Sequence, residues 1–141
     1  GLRRLRESEG APDVHVVLQG SGVTLAFVQG ALPRLLEEGI DVRATYVASP
    51  ELFDRRPEEE RSAVFGEEEA GRALGITGFT LPTMYRWVRS DLGRAHTLHP
   101  FRKGHYLGSG AGDDVIREAG LDGEGQYRGI RAFLDASVVQ T

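Results

Sequence analysis

The sequence predicts an open α/β sandwich, in which helices cover both faces of a largely parallel sheet. Residues 13–18, Asp-Val-His-Val-Val-Leu, form a nearly continuous apolar run, which is typical of a strand covered on both faces. An amphipathic helix is expected over about 23–38, and a second apolar run follows at 42–48. A strand, a helix and a strand within about 35 residues indicate a right-handed βαβ unit with parallel strands.

The helix expected over 23–38 carries one apolar face. Its members recur four residues apart: Phe27, Ala31 and Leu35, and beside them Val28, Leu32 and Leu36. Pro33 lies inside this pattern, where a proline removes a backbone hydrogen bond and costs roughly 3 kcal/mol. The sequence therefore predicts a kink or a break near Pro33, and an end of the helix at Gly39.

A short helical turn is expected directly after the second strand. Its sequence is Ser49-Pro50-Glu51-Leu52-Phe53-Asp54. Ser49 is suited to the N-cap, Pro50 to the first helical position and Glu51 to the positive first turn. Leu52 and Phe53 are expected to anchor the turn by packing, so the motif is interpreted as structural.

The second half of the chain gives a less regular pattern. A charged helix is expected from Pro57 to Gly66, with its charges on a solvated face. The further predicted elements are a strand within 70–80, a helix at 81–92, an irregular basic stretch at 93–105, a short strand at 106–110, and helices at 113–119 and 124–136. Residues 1–12 are interpreted as a linker, which leaves one domain at 13–141.

Composition narrows the class of protein. The chain has 141 residues, of which 40% are apolar and 27% charged, as in one soluble domain. A net charge of −4 argues against nucleic acid as a partner, and no apolar run approaches the roughly 18 residues of a membrane span. Disulfides are excluded, since the chain has no cysteine. The basic start, 1–6, lacks the apolar region of a signal peptide, so a cytoplasmic location is expected. Beginning at Gly1, the chain is expected to be a fragment of a longer protein.

Gly20-Ser21-Gly22 is the candidate anion site. It lies between a strand and a helix, where backbone N–H groups and the helix dipole can hold an anion. A dinucleotide fingerprint would need a third glycine where Leu25 stands and an acid at the end of the second strand, and both are missing. A capping turn is therefore the favoured interpretation, and anion binding is the alternative.

Other chemistry-bearing residues do not form a convincing site. His96, His99 and His105 cluster in sequence, but a loop with no nearby carboxylate is a poor metal site. Residues 102–103 are basic and could contact a phosphate. Ser109 lacks the full Gly-x-Ser-x-Gly elbow, and no paired carboxylates suit acid–base work. No catalytic residue and no metal site are predicted.

The strand, the Ser-Pro-Glu-Leu-Phe-Asp turn and the charged helix together resemble the C-terminal domain of transketolase, in the thiamine-diphosphate enzyme superfamily. Two further segments resemble family patterns and occur in the same order along the chain. They are Glu-Gly-Ile-Asp-Val at 38–42 and residues 69–75, which are similar to a Glu-Ala-Gly-x-Ala-Leu-Gly pattern. One segment departs from it. The family typically has Phe-Gly-x-Ser-x-Pro, where 107–112 reads Leu-Gly-Ser-Gly-Ala-Gly.

The resemblance implies an open three-layer sandwich with a mostly parallel five-stranded sheet. It implies a structural and assembly domain, inactive alone, of an enzyme that transfers two-carbon ketol units. Thiamine diphosphate and Mg²⁺ would be held by two other domains, on the same or a separate chain, and the assembly would be a homodimer. Residues 79–105 also look similar to the thiamine-dependent component of 2-oxoacid (pyruvate) dehydrogenase, which is one alternative. A stand-alone anion-binding or regulatory module is another.

Overall fold

A computed structural model describes residues 1–101 and 119–140 and confirms the α/β fold class, with helices on both faces of a sheet. The strands are β1 (Leu2–Arg6), β2 (Val14–Gln19), β3 (Val42–Val47) and β4 (Ala73–Thr77), in the order β1-β3-β2-β4. β2 pairs in parallel with β3 and with β4, whereas β1 is antiparallel to β3. The short strand expected at 106–110, and residues 113–118 of the helix expected at 113–119, lie outside the described residues.

Strand β1 corrects the expectation that residues 1–12 form only a linker. Leu2 pairs with Val47 and Arg4 with Thr45, and the register shifts between Arg4 and Arg6. The prediction missed this strand because three of its five residues are arginine, which is unusual for a buried strand but common on a sheet edge. The domain boundary at residue 13 stays a prediction.

The helix between β2 and β3 contains a π-helical interruption. It consists of α1 (Ser21–Ala26), a π-helical segment (Phe27–Ala31) and α2 (Leu32–Glu37). The Leu32 N–H donates to the Phe27 carbonyl, five residues back, just before Pro33. Pro33 has no N–H to donate, so the widened turn accommodates it where a kink or break was expected. The helix ends as predicted: Gly39 has φ 78°, and its N–H donates to the Leu36 carbonyl at 3.0 Å.

The helices after β3 are short, except for the last. They are α3 (Pro50–Asp54), α4 (Glu58–Val64), α5 (Glu67–Arg72), a 3₁₀ turn (Leu81–Met84), α6 (Asp91–His96) and α7 (Gly123–Gln140). None of the helices in the described ranges is long and apolar enough to cross a bilayer. α3, α4 and α7 lie where the sequence predicts them, whereas α5 replaces the start of the strand expected from residue 70.

The helix predicted at 81–92 is wrong. Only its first turn is helical, as a 3₁₀ turn, and a new helix begins at Asp91 and runs to His96, into the stretch 93–105 that was expected to be irregular. Ser90 caps this helix, because its Oγ accepts a hydrogen bond from the Gly93 N–H at 2.8 Å. The apolar residues of 84–88 had suggested one continuous helix, but Met84 is buried from the 3₁₀ turn, and Trp87 and Val88 are buried from the segment that follows it.

Two apolar clusters on opposite faces of the sheet make the three layers. Alternate residues of each strand point to opposite faces, so Val16 and Leu18 of β2 lie in one cluster and Val17 lies in the other. The first cluster packs under α1, α2 and α7, with Phe27, Ala31, Leu35, Ile130 and Phe133. The second packs under α3 to α5 and the segment after β4, with Phe53, Phe65, Ala70, Met84, Trp87 and Val88.

Candidate functional site

The carboxyl ends of β2 and β4 lie side by side and open into a pocket. The next strand along the chain, β3, lies on one side of β2, and the strand after it, β4, lies on the other side of β2. The strand order therefore reverses between β2 and β4. Ligands of open α/β sheets bind at such a reversal. The pocket has a volume of about 590 Å³ and is lined by Gln19, Gly78, Phe79, Thr80, Thr83, Pro100 and Phe101.

A hydrogen-bond network fixes the polar wall of this carboxyl-edge pocket. The Thr77 hydroxyl donates to the Gln19 side-chain oxygen at 2.8 Å, whereas the Thr83 hydroxyl lies 2.6 Å from the Thr80 carbonyl and 2.9 Å from the same Gln19 oxygen, and its one proton can serve only one of them. The Phe79 N–H donates to the Thr77 hydroxyl at 2.9 Å, and the Gly78 N–H donates to the Gln19 carbonyl at 2.9 Å. The Gln19 oxygen is thus held by the Thr77 hydroxyl, and the Gln19 side-chain NH₂ group is a hydrogen-bond donor at the pocket wall.

The Gly20-Ser21-Gly22 turn forms the neighbouring end of β2. Gly20 has φ 106°, a backbone conformation that favours glycine. Its carbonyl accepts hydrogen bonds from the Thr24 N–H at 3.2 Å and the Thr24 hydroxyl at 2.6 Å. No side chain caps the start of α1, and Ser21 and Gly22 are exposed. The turn therefore presents backbone donors at the edge where the sequence suggested an anion.

The Ser49–Asp54 motif forms α3 and its N-cap. The Ser49 Oγ accepts a hydrogen bond from the Leu52 N–H at 3.3 Å, and Pro50 occupies the first turn together with Glu51. Phe53 is 4% exposed and meets Trp87 edge-on, at 5.4 Å between ring centroids. Leu52 is 53% exposed, so the expectation that both residues anchor the turn is wrong for Leu52. Adjacent helical residues point about 100° apart, and only one of them can face the sheet.

Asp54, the last residue of the motif, joins α3 to the segment after the 3₁₀ turn. Arg86 donates two hydrogen bonds to its carboxylate, from Nη1 to Oδ2 at 3.0 Å and from Nη2 to Oδ1. These hydrogen bonds, aided by the charges of Arg86 and Arg61, lower the pKa of Asp54 below its ordinary value. The Arg86 guanidinium also lies over the Trp87 ring, 4.4 Å from its centroid. The sequence analysis missed this pair, because nothing local in the sequence marks it.

A buried group of ionisable side chains lies at the opposite, amino end of β2. His15 Nε2 lies 2.8 Å from the Thr45 hydroxyl, and His15 Nδ1 lies 3.5 Å from Glu69 Oε2. Arg4 and Arg43 approach the same Glu69 oxygen at 3.6 and 3.8 Å. Burial, and then the charges of Arg4 and Arg43, lower the pKa of His15 to about 3.

Thr45, His15 and Glu69 stand in the order of a nucleophile, a base and an orienting acid. Thr45 has no exposed surface and His15 is 3% exposed, so no substrate can reach the hydroxyl. The group therefore ties β1, β2, β3 and α5 together and does not act on a substrate. The signal in the sequence was a single histidine inside the otherwise apolar β2, which the sequence analysis did not single out.

Comparison with known proteins shows to which family this chain is related. A curated transketolase from Aquifex aeolicus (strain VF5) is 35% identical to this chain over 110 residues, which cover 73% of the chain. The chain belongs to the transketolase family. It spans only 14% of that relative's length. No family model matches the chain.

Solved transketolase structures agree with the fold. The enzyme from Campylobacter jejuni superposes with a TM-score of 0.68 at 17% identity, over 94% of this chain and 18% of the enzyme. Transketolase from Leishmania mexicana gives 0.65 at 20% identity, over 96% of this chain and 18% of the enzyme. The matching part of transketolase is its C-terminal domain, as the Ser49–Asp54 motif predicted.

Acidic and histidine side chains are the candidates for holding a metal ion in this chain, which has no cysteine. A diphosphate with Mg²⁺ requires several oxygen ligands around the ion. Within 1–101 and 119–140, no three His, Cys, Asp or Glu side chains come together in a way that could hold a metal. His96 packs against Phe133 and contacts the Leu92 carbonyl through Nδ1 at 3.1 Å, whereas His105 and Ser109 lie outside the described residues.

Proposed function

We propose that this chain is the C-terminal structural and assembly domain of a thiamine-diphosphate-dependent transketolase. The complete enzyme would transfer two-carbon ketol units, and this domain would have no catalysis of its own. The observation that carries the proposal is the 35% identity to the Aquifex aeolicus transketolase over 110 residues. The order of the Ser49–Asp54 turn and the segments 38–42 and 69–75 supports it.

Exposed apolar side chains support a role in packing against other domains. Leu25 is 56% exposed, Leu52 53% and Phe79 54%. Leu25 and Phe79 follow the neighbouring carboxyl ends of β2 and β4, and Leu52 follows that of β3. Exposed apolar residues concentrated at one edge favour a surface that other protein covers. The proposed partners are the remaining thiamine-diphosphate-binding domains, on the same or a separate chain.

Cofactor binding separates this proposal from an independently active enzyme. The chain is titrated with thiamine diphosphate and Mg²⁺ in a calorimeter and then tested in a coupled ketol-transfer assay. We expect neither tight binding nor turnover by the chain alone, because its described residues offer no set of ligands for the metal. Turnover is expected only after addition of a chain that carries the two cofactor domains, and activity with a 2-oxoacid instead would favour the dehydrogenase alternative.

Micromolar binding of the cofactor, or turnover by the chain alone, would contradict the proposal.

We further propose that the assembly is a homodimer with two-fold symmetry, the commonest symmetry of homo-oligomers, and that it is located in the cytoplasm. Analytical ultracentrifugation over a range of concentrations tests the dimer. A sedimentation coefficient that stays at the monomer value at high concentration would count against it.

A second candidate function is anion binding at Gly20, Ser21 and Gly22, as a stand-alone or regulatory module. The supporting observation is that no side chain caps the start of α1, beside a pocket at the reversal of the strand order. The test is a titration with inorganic phosphate, followed by the backbone amide resonances of these residues. Saturable shifts confined to this turn are expected if it binds, and shifts no larger than those of exposed amides elsewhere would exclude it.

A further inference from the structure

A second cavity borders the second apolar cluster, several of whose residues line it. None of its lining residues lines the carboxyl-edge pocket. It has a volume of about 210 Å³, and α3, α4, α5 and residues 86–89 contribute to its wall. Phe53, Phe65 and Trp87 form its apolar part, and Phe65 meets Trp87 edge-on at 5.6 Å between ring centroids. We call it the Trp87 cavity.

Two side chains that line this cavity each carry a buried hydrogen-bond donor with no acceptor among the described residues. These donors are the indole Nε1 of Trp87 and the Nε of Arg61, and both residues line the cavity. Trp87 is only 2% exposed. Buried donors are nearly always paired, because an unpaired one costs about 1–3 kcal/mol. Two such donors on side chains that line one small cavity favour a ligand group that only accepts hydrogen bonds.

The charges around the cavity favour an anionic acceptor. Three arginines, Arg61, Arg86 and Arg89, line it, against two acids, Glu58 and Glu67. Asp54 holds Arg86 in place through its two hydrogen bonds. Guanidinium groups bind carboxylates and phosphates through charge-assisted hydrogen bonds, which are about twice as strong as neutral ones.

Access to the donors depends on Arg86. Its guanidinium lies over the Trp87 ring, and its side chain is 39% exposed. The donor nitrogens of Trp87 and Arg61 are shielded from solvent. Binding of an anion at Trp87 Nε1 therefore requires side chains to move, and Arg86 is the exposed side chain that lies on the Trp87 ring.

We propose that the Trp87 cavity binds the oxyanion group, a carboxylate or a phosphate, of a small molecule. Trp87 Nε1 and Arg61 Nε donate hydrogen bonds to it, and Arg89 and Arg86 supply further positive charge. Asp54 and Phe53, the last two residues of the Ser49–Asp54 motif, then shape this site as positioning residues.

Trp87 provides the probe, because it is the only tryptophan of the chain. The chain is titrated with inorganic phosphate, and separately with acetate, up to about 100 mM at constant ionic strength. A saturable change in tryptophan fluorescence with either anion is expected, and the anion that saturates identifies the group bound. A linear response to both, no larger than that to chloride, would overturn the proposal.

Two variants at Arg61 and Arg3 locate the site. Arg61→Lys keeps the charge but removes the buried Nε donor, so the affinity is expected to fall about tenfold. Arg3→Gln removes an exposed charge on the edge strand and serves as the control, with no more than a twofold change expected. Equal losses in the two variants would show general electrostatic binding and would overturn the proposal.

Trp87→Phe separates the hydrogen bond from the packing. The substitution keeps an aromatic ring in the cluster and removes the N–H, so calorimetry with the anion found above should show about tenfold weaker binding. The melting temperature of the ligand-free variant reports its folding. Should the variant fail to fold, Arg61→Lys alone decides the question. Undiminished affinity in a folded Trp87→Phe protein would contradict the assignment of Nε1.

Discussion

Asp54 and Arg86 are 32 residues apart in the chain and form a pair of hydrogen bonds that ties α3 to the segment after β4. Both residues lie on the surface, whereas the residue before Asp54 and the residue after Arg86 are buried. These two residues, Phe53 and Trp87, contact each other in the core. The surface pair and the buried aromatic pair therefore hold the same two segments together, in two layers.

Removing Arg86 should change the titration of Asp54. The hydrogen bonds from Arg86 lower the pKa of Asp54, so Arg86→Gln is expected to raise this pKa towards the ordinary value of 3.8. A lowered carboxyl pKa stabilises the fold above the ordinary pKa, and this contribution is lost as the pH falls through the folded-state pKa. Carboxyl ¹³C chemical shifts measure the change. Arg55→Gln, at a neighbouring exposed site, is the control, and an equal shift in both variants would contradict the pairing.

Phe53 and Leu52 form a matched pair for testing the motif. Phe53→Ala is expected to lower the free energy of unfolding by roughly 3–5 kcal/mol, since the ring is 4% exposed and packs on Trp87. Leu52→Ala is expected to change it by less than about 0.5 kcal/mol, since this side chain is 53% exposed. Urea unfolding measures both. A melting temperature unchanged by Phe53→Ala would show that the ring is not part of the core.

Gly30 and Gly123 let the π-helical segment contact the start of α7. A Cβ on Gly30 would lie 2.8 Å from the Gly123 Cα, and one on Gly123 would lie 3.0 Å from the Gly30 Cα. Gly30→Ala is therefore expected to destabilise the fold by about 1–3 kcal/mol, because backbone must move. Gly71→Ala, in α5 with no described atom within 4 Å of the added Cβ, should be neutral or stabilising by about 0.5–1 kcal/mol. The reverse order of stabilities would contradict this contact.

His15 should make stability depend on pH. Its pKa is lowered to about 3 in the folded chain, so the unfolded chain takes up a proton from about pH 6.5 downward while the folded chain does not. The stabilisation is complete above the unfolded-state pKa and is lost progressively as the pH falls from there towards the folded-state pKa. Between about pH 7 and pH 5 the loss is expected to be about 1–2 kcal/mol.

Urea unfolding at several pH values measures the effect of His15. His15→Gln should flatten the dependence between about pH 7 and pH 5, because glutamine does not titrate. The imidazole resonances of His15 in the unsubstituted chain provide an independent measurement and should remain those of the neutral form to about pH 4. Titration of His15 near its ordinary pKa would show that burial and the arginines do not control it.

The sequence by itself predicts those elements whose signals are local. The apolar runs of β2 and β3, the four-residue spacing before Gly39 and the cap at Ser49 are read within a few residues, and the structure has them where they are expected. The parallel pairing of β2 and β3 also follows, because a short helical crossover permits little else. The Ser49–Asp54 motif identified the family for the same reason, since it is a contiguous stretch.

The predictions that proved wrong depend instead on contacts between residues that are far apart in the chain. The segment 81–92 has an apolar pattern that fits a helix, but its side chains are buried by contacts with α3, α4 and β4 rather than by helical packing. Leu52 and Phe53 are equally apolar in the sequence, and only the direction of α3 relative to the sheet decides which is buried. Tertiary packing overrides local pattern in both cases.

The sequence alone thus determined the βαβ unit, the motif and the family, because hydrogen bonding and hydrophobic periodicity act over a few residues. Only the tertiary structure placed β1 at the sheet edge, brought His15, Thr45 and Glu69 together and joined Asp54 to Arg86. It alone assembled the Trp87 cavity from α3, α4, α5 and residues 86–89. These contacts join residues far apart in the chain, and their geometry depends on how the layers pack, which no local pattern encodes.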